Sequence, residues 1–596
     1  MSRQEEYNSA VTARAHQIMS VMAEKTKTMW GAHAIMDQEG DAGRASELIF
    51  AVLGKEATGP FARVGAGTFD TLAAVTLVRR WGDVLSVEAV ERVRRLMTDG
   101  VLHRGNTENH WLMHYTAQIL ALEHWPEIGT WWNGLSRQVA HAEATRWITG
   151  MIERTAVQGH HEYDSPQYHL CHVLSMIALA DHAADDHLRR QADQAATLYI
   201  ADMALEYFKG GWAGGHSREG YRQNTWTRSG SITGLQYLYF GGEEFDPAQH
   251  CHDMLGPALT ACYRPPALLA DLAWDREKPH VVKKTKAPRS IYRHARQSVS
   301  PTRKYTFMSR SFALGSTQVG LPGPPAGPID LVSWDLTWSG PRHAAKIVCN
   351  HPFRGAGRFG AFLGSLPQGI GRAIATDKPY LQYPDRLFGA SPYERMVQHE
   401  GAILLLYRIP EDDEAPYVNL YLPATVAWEA GEEGWLFGDG GEFYVGLRPI
   451  GSYHWERIRE EDLIDGWLLR IGDRYAGLAL EAVEASDTDF ATFQRQRSAA
   501  ALDLSDWPGP GRAGLVTTGG HRLEIVFPDA PPGEGDESHL LDGVAIDYSA
   551  YPLYEAPGVA APLGTGKMIL RHQGETTELD FQIDPDRELI PMRVIG

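Results

Sequence analysis

Three short stretches of this chain carry side chains able to move protons or hold an anion. The first is Asn106-Thr107-Glu108-Asn109-His110-Trp111-Leu112-Met113-His114-Tyr115, which places an acid, an amide and an imidazole at the start of an apolar run. The second is His160-His161-Glu162-Tyr163-Asp164-Ser165-Pro166-Gln167-Tyr168-His169. The third is Gly214-Gly215-His216-Ser217-Arg218-Glu219-Gly220-Tyr221-Arg222-Gln223-Asn224. Carboxylates such as Glu108 and Glu162 could act as an acid and base pair across a sugar, with Asp164 or Glu219 in reserve. That chemistry needs them about 5 to 9 Å apart. The arginines of the third stretch suit a carboxylate ligand, which they can grip with paired hydrogen bonds.

The elements that must position these groups are helices. Ile119, Leu120 and Leu122 recur at helical spacing, so a helix follows His110. Asn106 or Thr107 can cap it, and Glu108 falls in its first turn, where the macrodipole favours an acid. Ser165 and Pro166 predict a second helix start, with Ser165 as cap and Pro166 at the first position. The third stretch is a glycine-flanked loop after a helix ending near Phe208. Three polar mouths on one helical domain point to a cleft. The plainer reading of each is a capped helix or a solvated loop.

Residues 1–263 read as mostly helical. Apolar positions recur at helix period over Val11 to Met22, Leu72 to Trp81, Val87 to Met97, Trp111 to His124, Leu135 to Arg154, Tyr168 to Ala183 and Leu188 to Phe208. Short Gly or Pro turns separate them, which predicts antiparallel hairpins curled into an incomplete (α/α) toroid. Residues 264–304 carry Pro265-Pro266, Lys278-Pro279, Lys283-Lys284, Lys286 and Pro288, and read as a solvated basic linker. From Tyr305 onward short alternating runs predict strands, and 305–596 reads as an antiparallel β-sandwich. Phe443 to Leu447 and Tyr475 to Ala479 look like two copies of one hairpin, each after a Gly-Trp-Leu strand. The expected class is therefore an α+β multidomain chain, a helical toroid followed by a sandwich.

At 596 residues the chain is too long for one ordinary core. A net charge of −19 argues against nucleic acid, whose phosphates need a basic face. No apolar run is long enough to span a bilayer. Met1 to Tyr7 lacks the apolar core of a signal peptide, so a cytoplasmic address is expected, or a secreted or periplasmic one had a leader been removed. The four cysteines form no CxxC pair. His160, His161, His169 and His172 are dense, yet HExxH is absent and no zinc spacing fits, so no metal or cofactor is expected. A homo-oligomer is left open.

An Asn-His pair opening a toroid helix, then Glu-x-x-Ser-Pro-x-Tyr-His, then a sandwich, resembles the heparinase II/III and alginate lyase superfamily of polysaccharide lyases. Asn109-His110 is similar to that family's Asn-His. Tyr168 is similar to its catalytic tyrosine, at close to the family's separation. The resemblance implies β-elimination at a uronic acid without a metal. Asn109 and His110 would hold the carboxylate with Arg218 or Arg222, and Tyr168 would be base, acid or both. A tyrosine of pKa ~10 needs cationic neighbours for that. Glu108 and Glu162 join the candidate catalytic set. His161, His169, His216, Tyr221, Arg222 and Asn224 are candidate substrate contacts. The family's sandwich histidine has four candidates here, His343, His351, His399 and His454. The alternatives are a toroid glycoside hydrolase using paired carboxylates and a carbohydrate-binding protein without turnover.

Overall fold

A computed structural model describes residues 1–54, 65–105, 107–217, 230–242, 245–250, 252–287, 301–319, 331–340, 342–353, 384–387, 389, 391–460, 464–529, 538–584, 586 and 588–590. Helices run over Arg3–Lys25, Ala32–Gln38, Ala42–Leu53, Thr68–Trp81, Val87–Asp99, Glu108–His124, Arg137–Gln158, His169–His182 and Asp186–Leu205. Most start on a side-chain acceptor. Ser2 closes a capping box with Glu5, and Asp41, Ser86, Ser136 and Asp185 each accept a first-turn N–H. Such caps are worth about 1 kcal/mol each. The Glu108–His124 helix differs: Thr107 makes no side-chain cap bond. It is buried without a break from Trp111 to Leu122 and packs on Thr68–Trp81, Arg137–Gln158 and His169–His182. A helix apolar all round belongs inside, which is what its sequence offers.

The strand-rich half stacks three antiparallel sheets. The largest has twelve strands in the order Tyr453–Glu460, Ile464–Ile471, Val418–Pro423, Lys346–Asn350, Trp334–Trp338, Phe312–Val319, Thr302–Met308, His280–Lys286, Tyr554–Ala556, Val559–Ala561, Lys567–His572 and Glu575–Asp580. Because side chains alternate along a strand, this sheet has two characters. Phe307, Leu314, Trp334, Leu336, Ile347, Leu420 and Leu469 face a six-stranded sheet and share one core with its Leu405, Leu447 and Leu478. Truncating one of these, Leu420→Ala for example, would cost about 2–5 kcal/mol. The opposite face looks at the helices and carries Lys284, Lys286, Lys304, Asp335 and Lys346, all buried. The six-stranded sheet packs its far side, through Leu404, Leu406 and Phe437, on Ala513, Leu515 and Ile525 of a five-stranded sheet.

Two expectations change here. The 264–304 segment is not a solvated linker. It holds a helix at Leu268–Trp274, the strand His280–Lys286 and the start of Thr302–Met308. Lys284 and Lys286 are buried because carboxylates from the helices meet them. The second, the paired hairpins, also splits. Leu436–Asp439 and Phe443–Ile450 do form a hairpin, but Ile464–Ile471 lies in the large sheet and pairs with Tyr453–Glu460. Gly477–Glu484 crosses to the six-stranded sheet and pairs with Phe443–Ile450 itself. The repeated motif thus marks neighbours in one sheet. The helical region and the large antiparallel region together make an α+β multidomain chain.

Candidate functional site

The first two chemistry-bearing stretches hold each other by exchanged carboxylates. Glu108 accepts the backbone N–H groups of His161 at 3.1 Å and Glu162 at 2.6 Å. Glu162 in return accepts the backbone N–H of Asn109 at 2.8 Å and its side-chain amide at 2.5 Å. Glu162 is therefore the missing cap of the Glu108–His124 helix, delivered from another segment. Glu108, Asn109 and Glu162 are all 0% exposed. A carboxylate only accepts, so the amide nitrogen of Asn109 must face it, and that nitrogen also reaches Thr107 Oγ1 at 3.0 Å. Asn109 is a positioning residue in this geometry. Its amide nitrogen is taken up by Glu162 and Thr107.

Glu108 Oε2 also lies 3.6 Å from His172 Nε2. Burial opposes the charge on both, but their mutual attraction outweighs it. Glu108 is held below the usual carboxylate range and His172 above the usual imidazole range. His172 Nδ1 meets the carbonyl oxygen of Tyr168 at 3.2 Å. A carbonyl cannot donate, so Nδ1 carries a proton.

Tyr168 is half-buried at the entry of the next helix. That helix begins later than expected. Ser165 Oγ accepts the Tyr168 N–H at 3.0 Å and closes a turn, Tyr168 is the N-cap, and His169 is the first helical residue. Pro166 sits in that turn, where its carbonyl accepts the Ile232 N–H at 3.1 Å. A Cβ at Gly230 would lie 2.3 Å from the same oxygen, so only glycine fits there. His110, also half-buried, packs edge-on to Phe69 with ring centroids 5.5 Å apart.

The third stretch joins on. Ser217 donates its backbone N–H and its hydroxyl to Tyr163 O, at 3.3 and 2.9 Å. His216-Ser217 pairs with Leu331-Val332 of the strand-rich half. Gly214, at φ +85°, gives its N–H to Asp335 at 2.7 Å, and a Cβ there would press on Thr306. His216 is buried with Nδ1 on its own chain at Gly214 O. Burial, aided by Lys346, pushes its pKa well down, so it is neutral.

Below this lies a buried ion lattice that sequence reading missed. Lys284 meets Asp202 at 2.8 Å and Glu206 at 2.7 Å; Lys286 meets Asp164 at 3.0 Å and also Asp202; Lys304 meets Glu206 at 2.8 Å and also Asp164. Three ammonium groups from the sheet thus face three carboxylates from the helical half. Burial works against the charge of Asp164, yet the three lysines hold it well below the usual carboxylate range. Asp202 in the last turn of the Asp186–Leu205 helix and Glu206 as its C-cap, four residues on, are a signal for a buried acidic pair.

The candidate residues therefore separate. His110 and Tyr168 stand half-buried at two adjoining helix entries. Glu108, Asn109, Glu162, His161, His169 and His216 are buried behind them. His169 gives Nε2 to Tyr199 O at 3.0 Å and touches Trp212 edge-on, so it is a core histidine. Arg218, Glu219, Tyr221, Arg222 and Asn224 lie outside the described residues, as does the side chain of His343. His351 has both ring nitrogens engaged, with Ser391 at 2.8 Å and Ala415 O at 2.9 Å. His454 sits on the outermost strand of the large sheet. His399 packs on His521 beside a cavity of 450 Å³ lined by Phe307, Phe312, Glu400 and Glu484, within the strand-rich half.

The chain matches no family model and no curated protein. Among solved structures it is similar to a chondroitin AC lyase from Streptomyces coelicolor A3, determined in complex with chondroitin sulphate. The identity is 12%, the TM-score 0.42, and the match covers 94% of this chain and 87% of that one. At that depth the likeness decides neither fold nor activity. The functional reading rests on the residues.

Proposed function

We propose that this chain cleaves an acidic, uronate-containing glycan or oligosaccharide by β-elimination. In this reading the helical half is an incomplete (α/α) toroid, and its substrate enters over the adjoining starts of the Glu108–His124 and His169–His182 helices. Tyr168 removes the C5 proton of the uronate and returns a proton to the departing glycosidic oxygen. The C4–O bond breaks and a C4=C5 double bond forms. His110 hydrogen-bonds the substrate carboxylate, with Arg218 or Arg222 as its charge partner, which stabilises the enolate-like charge that builds there. A tyrosine of pKa ~10 needs such cations beside it to serve as the base.

The observation that carries the reading is the engagement of the carboxylates. A hydrolase needs two acids facing the sugar, but Glu108 and Glu162 are buried and each accepts backbone N–H groups of the other's segment. Asp164 is held by lysines. Among the described candidates, what remains near the surface is a phenol and an imidazole, which is elimination chemistry. The test is a panel of uronate-containing glycans followed by ultraviolet absorbance of the unsaturated product, beside a reducing-sugar assay. Absorbance that rises with new ends supports elimination. New ends without absorbance would move the assignment to hydrolysis, and silence in both assays would leave a binding protein.

A further inference from the structure

Two groups of buried side chains bring potential metal donors together, one formed by His160, His169 and Asp202, the other by Glu108, Glu162 and His172. Charge separates them. Asp202 already ion-pairs with Lys284 and Lys286. A cation added there would meet two ammonium groups in a low-dielectric interior, where like charges repel by several kcal/mol. Glu108, by contrast, has His172 as its ion-pair partner among the described residues, and the Glu162 carboxylate lies beside it. Here two acids crowd together with one imidazole, fully buried.

We propose that Glu108, Glu162 and His172 form a binding site for a divalent cation of the zinc class. One atom from each, two carboxylate oxygens and an imidazole nitrogen, lie within 4.8 Å of one another. The imidazole is oriented as a ligand is. Nδ1 donates to the Tyr168 carbonyl at 3.2 Å, which leaves Nε2 directed at Glu108, 3.6 Å away and beyond hydrogen-bond length. An imidazole held by its far N–H on a carbonyl is the usual support of a metal-bound histidine. Glu108 is fixed by two backbone N–H groups, as ligating carboxylates are. One nitrogen with carboxylate oxygens suits zinc. The sequence hid the site because its ligands come from two segments more than fifty residues apart. The cation would tie the entries of two helices and hold the backbone of Tyr168. It is a positioning element, independent of the reaction proposed above.

The test uses the full chain purified without chelator from zinc-supplemented medium. Elemental analysis should find stoichiometric zinc, and its K-edge absorption should show imidazole and oxygen donors at roughly 2.0–2.2 Å with no sulfur. His172→Ala and Glu108→Gln should each lower zinc content by about tenfold or more. Should those variants fail to fold, anomalous scattering from unmodified crystals decides, with a peak expected among Glu108, Glu162 and His172. A chain that neither carries nor takes up zinc, a sulfur-containing donor set, a peak elsewhere, or zinc retained in His172→Ala would overturn the proposal.

Discussion

Two buried polar clusters lie side by side in this protein, and they are balanced in different ways. In the ion lattice, Lys284, Lys286 and Lys304 answer Asp164, Asp202 and Glu206 one for one. At the helix entries, Glu108 and Glu162 are balanced mainly by backbone N–H groups and one imidazole. The lattice spans the two halves of the molecule. The entry cluster joins two helix starts within one half and sits directly behind His110 and Tyr168. A saturated lattice can only hold. A cluster that gathers two carboxylates and an imidazole within 4.8 Å of one another can also take something up.

The largest expected effect belongs to the entry cluster's outer edge. Tyr168→Phe should lower turnover by about 10²–10⁴-fold, the usual contribution of a positioned acid–base group, with an unchanged circular dichroism spectrum. Full activity in this variant would remove the phenol from the chemistry. Next comes the lattice. Lys304→Met leaves Asp164 and Glu206 short of a cation and should cost about 3–5 kcal/mol in urea unfolding. Adding Asp164→Asn should recover part of that loss, since the two residues are coupled. A loss below about 1 kcal/mol would mean that the lattice is not desolvated as described.

Glu162→Gln sharpens the contrast. It weakens a charge-assisted cap without stranding a lysine, so about 2 kcal/mol is expected, less than for Lys304→Met. A further effect is a pH slope. Burial pushes His169 down to about 4 from an ordinary 6.5, and His216 well down also. The unfolded chain then binds more protons than the folded one between those values. Stability from this source is present above about 6.5 and is lost as pH falls toward 4, by about 1.4 kcal/mol per pH unit for each histidine. Unfolding free energies at pH 7 and 5 would show it, and His216→Gln should flatten the slope.

The helices were legible because their apolar positions recur at helical period, and boundaries such as Val87–Asp99 and Glu108–His124 fall within a few residues of the expected ones. The strands from Thr302 onward were legible by alternation. Lys284 and Lys286 were not. A basic, proline-bearing stretch reads as solvated unless the acids that meet it are known, and those lie about 80 to 120 residues away, on and beside a helix. The same limit applied to Glu108 and Glu162. Their residue types announce chemistry, but their partners are backbone groups of each other's segments, which no spacing rule records. Tyr168 and His110 stand out in the sequence by type and position, and the coordinates place them half-buried with Glu108 and Glu162 buried behind.

The place of the His280–Lys286 strand has a consequence for how the chain is made. Its neighbour on one side, Thr302–Met308, follows at once, but on the other it pairs with Tyr554–Ala556, and Thr285 Oγ1 bonds Tyr551 O across 266 residues. During synthesis that edge stays open until Tyr551 to Ala556, some 266 residues further on, have been made. Nascent chains halted before residue 550 should therefore be protease-sensitive at this edge, and the strand Tyr554–Ala556 is the latch that ends the vulnerable period.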